Sequence, residues 1–344
     1  MKILWLTTDR SLRVAQLFDP LRKAVGGLCD LHVIQQKGIW YRKDVAGGQE
    51  AEPLLEVDFA NTFDIIFTDA PFAFLGERWG AISTPKCALM EDQHSLVVQG
   101  YMESCFEQGF THFFTRYRDP TYGNHSYLLS RPTYWLPHSI DPEVFHPDYP
   151  EKQPPDPMTA LFTGSVGRKE SGAYPLRVHL CNALEGHPRF VRVERPKDVR
   201  SKQEASERSG YMGKRYAELL SMADLSFATG SKFRYVVAKY FEIPACGAAL
   251  MCDFMPEMKD LGFIPLVNCI EIGTKTPLTE QVDYWLSTPY RKTIAENGRR
   301  LIHGRHTTQV RARELVNTFG NIIDGKTEST TPKTQQEGQL QLLA

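Results

Sequence analysis

The chain has 344 residues, enough apolar side chain to bury a core in each of two domains. Its 40 Lys and Arg against 41 Asp and Glu leave a net charge of −1, so there is no global field to gather a polyanion such as duplex DNA, and nucleic acid is not an expected partner. Seven cysteines, at positions 29, 87, 105, 181, 246, 252 and 269, are odd in number and contain no C-x-x-C pair, which points to a reducing cytoplasm and no structural zinc.

The first run, MKILWLTTDRS, is too short for a signal-peptide core or a membrane span and predicts the first strand of a soluble cytoplasmic protein with no transmembrane segment. Val14, Leu17, Phe18, Leu21 and Val25 then recur at helical spacing, with Gly26 and Gly27 as terminators and Pro20 as a kink or a split. Further strands are expected at LHVIQQ, DIIFT, KCALM, HFFT and TYWLP. The proline-dense stretch Pro137 to Pro157 interrupts this pattern and marks a domain boundary. After it come strands at TALFTGS, FVRVE, DLSFAT, AALMCD and FIPLVN, with helices at YPLRVHLCNAL, KRYAELLSMA and Thr308 to Ile323.

Alternation of strand and helix predicts an α/β fold with parallel sheets. The expected domains are 1–140, Rossmann-like; 141–157, a proline-rich linker; 158–305, a second Rossmann-like domain; 306–323, a C-terminal helix; and 324–344, a polar, disordered tail. Two such lobes are expected to face each other across a cleft, with ligand beyond the carboxyl ends of the strands.

The loops at those strand ends supply the candidate site residues. His94 in MEDQHS follows a strand and precedes the helical pattern Val97, Val98, Tyr101, Met102 and Cys105. It could donate to a sugar hydroxyl or a developing negative charge. The plainer reading is that Asp92 or Ser95 caps the helix and His94 is its solvated neighbour, and spacing leaves both open. FTGSVGRKES places Gly164, Ser165, Gly167, Arg168 and Lys169 in a turn that suits a phosphate or is simply exposed. In ATGSKFR, Gly230 and Ser231 are expected to open a helix carrying Lys232 and Arg234, which is either an anion site or an ordinary Ser cap. The same helix is expected to reach KYFEIPACGAALMCD, where Glu242 stands among packing residues, about 80° round the helix from Arg234 and about 60° from Lys239. A buried carboxylate needs a base or ligand hydroxyls as partners, and a ribose would supply two.

FRYVVAKYFEIPACGAALMCDFMPEMKDLGF, preceded by YAELLSMADLSFA and followed by HTTQVRARELV, resembles the C-terminal half of the CgeB-like glycosyltransferases, relatives of glycosyltransferase family 4. LPHSIDPEVFHPD is similar to the hinge of that group, so the resemblance spans roughly 130–320. It implies a GT-B fold, a nucleoside-diphosphate sugar donor of the UDP or GDP type, and transfer to a hydroxyl of a glycan, small-molecule or protein acceptor. It further implies a hexosyltransferase-like enzyme that retains anomeric configuration with neither metal nor other cofactor. By this likeness Glu242 binds the donor ribose, Gly247 is the turn glycine after it, Lys239, Arg168 and Lys169 meet the diphosphate, and His94 faces the donor sugar. The family's other glutamate, eight positions earlier, is Arg234 in this chain, so the role of that glutamate does not carry over.

Two rival functions fit the same elements. A sugar-nucleotide epimerase on this fold needs acid/base carboxylates, for which Asp9, Asp69, Glu91 and Asp92 are available. A non-catalytic nucleotide-binding protein that holds a partner needs none.

Overall fold

The structure is a computed structural model, and it describes residues 1–8, 12–36, 62–69, 82–90, 105–106, 109–124, 131–149, 159–166, 172–193 and 213–326. The chain divides into two compact units, one of residues 1–10, 21–137 and 311–344, the other of 11–20 and 138–310.

In the first unit the described strands are β1 (Lys2–Thr8), β2 (Asp30–Gln36), β3 (Ile65–Thr68), β4 (Lys86–Met90), β5 (His112–Thr115) and β6 (Thr133–Trp135). They form one parallel sheet in the order β2-β1-β3-β4-β5-β6. Five of them lie within the stretches expected from the sequence, and β2 begins one residue before its stretch, at Asp30. Residues Ile65–Thr68 and Lys86–Met90 are buried throughout, which is why they read as continuous apolar runs. Helix α1 (Leu12–Gly26) runs through Pro20 as one element, so the expected split is not found. A short helix, α2 (Arg118–Asn124), follows β5.

The second unit has β7 (Ala160–Thr163), β8 (Phe190–Val193), β9 (Leu225–Ala228), β10 (Ala249–Cys252) and β11 (Ile270–Glu271), parallel in the order β11-β10-β9-β7-β8. Its helices are α3 (Pro175–Ala183), α4 (Gly213–Met222), α5 (Lys239–Ala245), α6 (Glu257–Asp260), α7 (Leu278–Ser287) and α8 (Tyr290–Arg305). Phe162, Leu180, Phe227, Met251, Trp285 and Ile294 meet in its core. Two chain segments are fastened together here: Ile140 N–H donates to His306 O, and Thr308 N–H returns a bond to Ile140 O, each at 2.9 Å.

FIPLVN is not a strand. Its apolar side chains Ile264, Leu266 and Val267 face solvent, and Leu266 has φ +65°, which no strand accommodates. The edge strand is β11, immediately after it, and only two residues long.

The last helix, α9 (Thr308–Ile323), lies within the expected 306–323, shares its end and begins two residues later. Ala312, Leu315, Phe319 and Ile322 are buried at helical spacing. Phe319 packs edge-on against Phe67 at 5.3 Å and Phe114 at 5.7 Å, so the end of the chain completes the core of the first unit. All seven cysteines are free, six of them buried, as expected of thiols that serve as small hydrophobes. No described helix is long and apolar enough to cross a membrane.

Close packing of α8 on α5 rests on Gly298, where an added Cβ would stand 2.9 Å from Asn268 O and 3.0 Å from Pro244 Cβ. Alanine in place of a helix glycine ordinarily gains about 1 kcal/mol. Gly298→Ala is expected to reverse that sign and lower stability by about 1–3 kcal/mol. Thermal denaturation checks it, and an unchanged or raised Tm would contradict the packing.

Candidate functional site

The strand order of the second unit reverses between β7 and β9, the place where an open parallel sheet parts at its carboxyl edge and offers a ligand site. The chain leaves β7 through Thr163, Gly164 and Ser165, and leaves β9 through Thr229, Gly230 and Ser231. Gly164 has φ +143°, a conformation open to glycine but strained for any side chain.

Two cations reach this glycine. Lys239, the first residue of α5, donates from Nζ to Thr163 Oγ1 at 2.7 Å and to the Tyr216 hydroxyl of α4 at 3.1 Å. Arg177, in the first turn of α3, donates from Nε to Thr229 Oγ1 at 3.2 Å, from Nη2 to Thr229 O at 3.3 Å and from Nη1 to Ser165 O at 3.3 Å. Its guanidinium also lies 3.6 Å from the ring centre of Tyr174. A Cβ on Gly164 would stand 3.7 Å from Lys239 Cε and 3.8 Å from Arg177 Nη1. The acceptors in these bonds are hydroxyls and carbonyls, which orient the two cations.

The turn after β9 differs from the expectation. The helix expected to open at Ser231 begins at Lys239, because Ser231 instead closes a tight turn: its carbonyl accepts from Arg234 N at 2.8 Å and its hydroxyl from Phe233 N at 3.1 Å. Gly230 N–H is donated to the Asp253 carboxylate at 3.0 Å, and an anion site built from this N–H and a helix N-terminus is therefore not present. Tyr240 donates its hydroxyl to the same carboxylate. Burial, reinforced by the Asp253 charge, pushes the Tyr240 phenol well above its ordinary pKa, so it stays a neutral donor. Arg234 stands exposed in this loop at φ +62°, outside any helix, and its expected angular relation to Glu242 does not hold.

Glu242 is half-buried in the first turn of α5, between the buried Phe241 and Ile243. Three residues after Lys239, it lies about 60° round the helix from the lysine that reaches the sheet edge. Gly247 follows the C-cap of α5 at φ +85° and donates its N–H to Pro244 O at 3.0 Å, the usual left-handed helix stop. Its Cβ position is 3.4 Å from Pro147 Cβ, so the glycine serves the chain reversal itself.

His94, Asp92, Asp9, Glu91, Gly167, Arg168 and Lys169 lie outside the described residues, as does most of the expected tail. Asp69 is described: it is buried at the end of β3 and accepts from Trp5 Nε1 at 2.9 Å and Arg22 Nη1 at 3.0 Å. That ion pair gives it a structural task beside β1. Thr163, Arg177 and Tyr216 were not among the residues expected at the site. The signal for Arg177 was slight, a single base in the first turn of a helix that follows a strand-end loop.

Residues 185–317 match the family model described as Glycosyl transferase-like, a span that contains Arg234, Lys239, Glu242 and Gly247. No curated protein matches the chain. Among solved structures, the chain is similar to sucrose-phosphate synthase from Thermosynechococcus elongatus, with TM-score 0.59 and 13% identity over 94% of this chain and 100% of that one. It is similar also to Anabaena HepE in complex with UDP-glucose, with TM-score 0.57 and 13% identity over 92% of this chain and 99% of that one. A glycosyltransferase from Rickettsia africae gives 0.54 and 11% over 94% and 98%. At these identities the likeness shows the fold: two parallel α/β sheets with flanking helices, as in GT-B glycosyltransferases.

Proposed function

We propose that this protein is a glycosyltransferase that moves a sugar from a nucleoside-diphosphate sugar, of the UDP or GDP type, to a hydroxyl of a glycan, small-molecule or protein acceptor. The observation that carries the reading is the convergence of Arg177 and Lys239 on Gly164 at the strand-order reversal. Two oriented cations beside a bare stretch of backbone suit a diphosphate, which brings two adjacent negative groups and needs close approach. The fold shared with HepE, solved with UDP-glucose, and with sucrose-phosphate synthase supports it, as does the Glycosyl transferase-like match.

In the proposed reaction the bond between the anomeric carbon and a diphosphate oxygen breaks while the acceptor oxygen bonds to that carbon, and the acceptor's proton passes to the departing diphosphate. Negative charge grows on the departing diphosphate, where Arg177 and Lys239 stabilise it; Arg168 and Lys169, close behind Gly164 and Ser165 in sequence, are proposed to add to this charge. Because bonds to neutral groups already hold Arg177 and Lys239 in place, little reorganisation accompanies the reaction. Glu242 is proposed to accept from the donor ribose hydroxyls, His94 and Asp92 to act as the catalytic groups, and the sugar to keep its anomeric configuration. The fixed cations support a reaction that needs no divalent metal.

Lys239→Met is expected to weaken nucleoside-diphosphate binding about 10–100-fold, the worth of one charge-assisted bond, with the circular dichroism spectrum unchanged. Calorimetry decides it, and equal affinity would remove Lys239 from the site. Glu242→Ala is expected to abolish the preference for a ribonucleotide over its 2′,3′-dideoxy analogue while leaving Tm close to the parent. A preserved preference would end the ribose assignment. A thermal-shift screen of nucleotide sugars identifies the donor, and transfer assayed with that donor is expected to proceed at the same rate in excess chelator. If every nucleotide sugar left Tm unmoved and none was consumed, the function proposed here would be wrong.

A further inference from the structure

Each cation of the site has a tyrosine beside it, and the two tyrosines are used differently. At Lys239 the contact is made by the Tyr216 hydroxyl, since Nζ lies 3.1 Å from that oxygen and 4.7 Å from the ring centre. At Arg177 it is made by a ring. The guanidinium carbon stands over Tyr174, 3.6 Å from the ring centre, which is stacking distance for two planar groups. The Tyr174 hydroxyl makes no hydrogen bond among the described residues.

Tyr174 occupies the N-cap of α3, three residues before Arg177. A side chain serves a helix from that position by accepting from the free N–H groups of the first turn, as Ser, Thr, Asp and Asn do. Tyr174 makes no such bond. It is half-buried, so the core of the second unit does not account for it either. Its backbone is nevertheless fixed on both sides. Ala173 O accepts from Lys232 N at 2.9 Å, which ties the residue before it to the turn after β9, and Tyr174 O accepts from Arg177 N at 3.2 Å. Thr229, at the start of that same turn, accepts from Arg177 Nε and Nη2. The ring and these acceptors therefore belong to one frame, with the guanidinium between them.

An arginine side chain is long and costs entropy to hold still. Hydrogen bonds to Thr229 and Ser165 fix the guanidinium within its own plane, and a ring stacked on it resists tilting of that plane. Orientation matters because guanidinium bonds phosphate oxygens edge-on, with its N–H groups in the plane of the cation. We propose that Tyr174 is a positioning residue for the diphosphate: its ring holds the Arg177 guanidinium in the orientation in which it meets the phosphate oxygens. The inference rests on the diphosphate reading of the site, and it assigns no part to the phenol hydroxyl or to contact with the nucleobase.

Calorimetric titration with UDP, GDP and inorganic pyrophosphate tests it. Tyr174→Leu removes the ring and is expected to weaken all three about five- to tenfold. Tyr174→Phe keeps the ring and is expected to bind all three as the parent does, with Tm close to the parent in both variants. In an Arg177→Gln background Tyr174→Leu is expected to cost nothing further, because the group it acts through is gone, whereas a merely structural ring would cost the same in both backgrounds. Parent-like binding by Tyr174→Leu, an equal loss in Tyr174→Phe, or an undiminished loss in the Arg177→Gln background would each overturn the proposal. A loss confined to UDP and GDP would overturn it too, by placing the ring against the base. In all of these cases a loss of affinity in Lys239→Met would leave the proposed function standing; if the parent bound none of the three, function and inference would fall together.

Discussion

The arrangement of the second unit follows from one topological fact, that its strand order reverses between β7 and β9. β7 connects outward to β8 through α3, and β9 connects the other way to β10 through α5. Right-handed crossovers in opposite directions send these helices to opposite faces of the sheet. Leu180 and Cys181 of α3 accordingly share a core with Phe162 and Phe227, while the buried face of α5 lies elsewhere. Arg177 and Lys239 begin on opposite faces and both reach Gly164 at the carboxyl edge. An alanine at Gly164 would meet its neighbours at ordinary van der Waals distance, so it is the backbone angle that requires glycine.

Around this point the polar groups have divided tasks. The Asp253 carboxylate is committed to the backbone of Gly230 and to Tyr240, which fixes the turn after β9. The cations are held by hydroxyls and carbonyls. An acid that locks the scaffold and bases oriented by hydroxyls and carbonyls together make a rigid edge lined by cations. That is the electrostatic form a site takes when it must receive negative charge without rearranging.

Most of the strands were legible because parallel strands covered on both faces are buried at every position and therefore mostly apolar, as ALFT, LSFA and ALMC show. Helix α9 was legible to within two residues, since its buried positions repeat at helical spacing. Misreadings came where local chemistry imitates an element. FIPLVN is as apolar as a strand, yet Ile264, Leu266 and Val267 stand in solvent while Phe263 is buried. Ser231 has the composition of a helix cap, but its hydroxyl and carbonyl close a turn, and Arg234 at φ +62° breaks the helical path. α5 starts at Lys239, eight residues after Ser231, and its N-cap Ala238 has no side-chain cap to announce it. Arg177 was overlooked because an arginine in an amphipathic helix ordinarily belongs to the solvated face. Only the tertiary structure brings Ser165 and Thr229 within its reach, and no sequence spacing records that contact.

Phe319 has a consequence for how the molecule is made. The sheet of the first unit is translated early, but Phe67 and Phe114 wait for a ring that stands near the far end of the chain. Most of the second unit, residues 138–310, is emitted before that helix exists. Domains fold as units during synthesis, usually from the N-terminus onward. Here the main segment of the second unit, 138–310, intervenes between the sheet of the first and the helix whose Phe319 packs on it, so that ring contact can form only after that segment has been made.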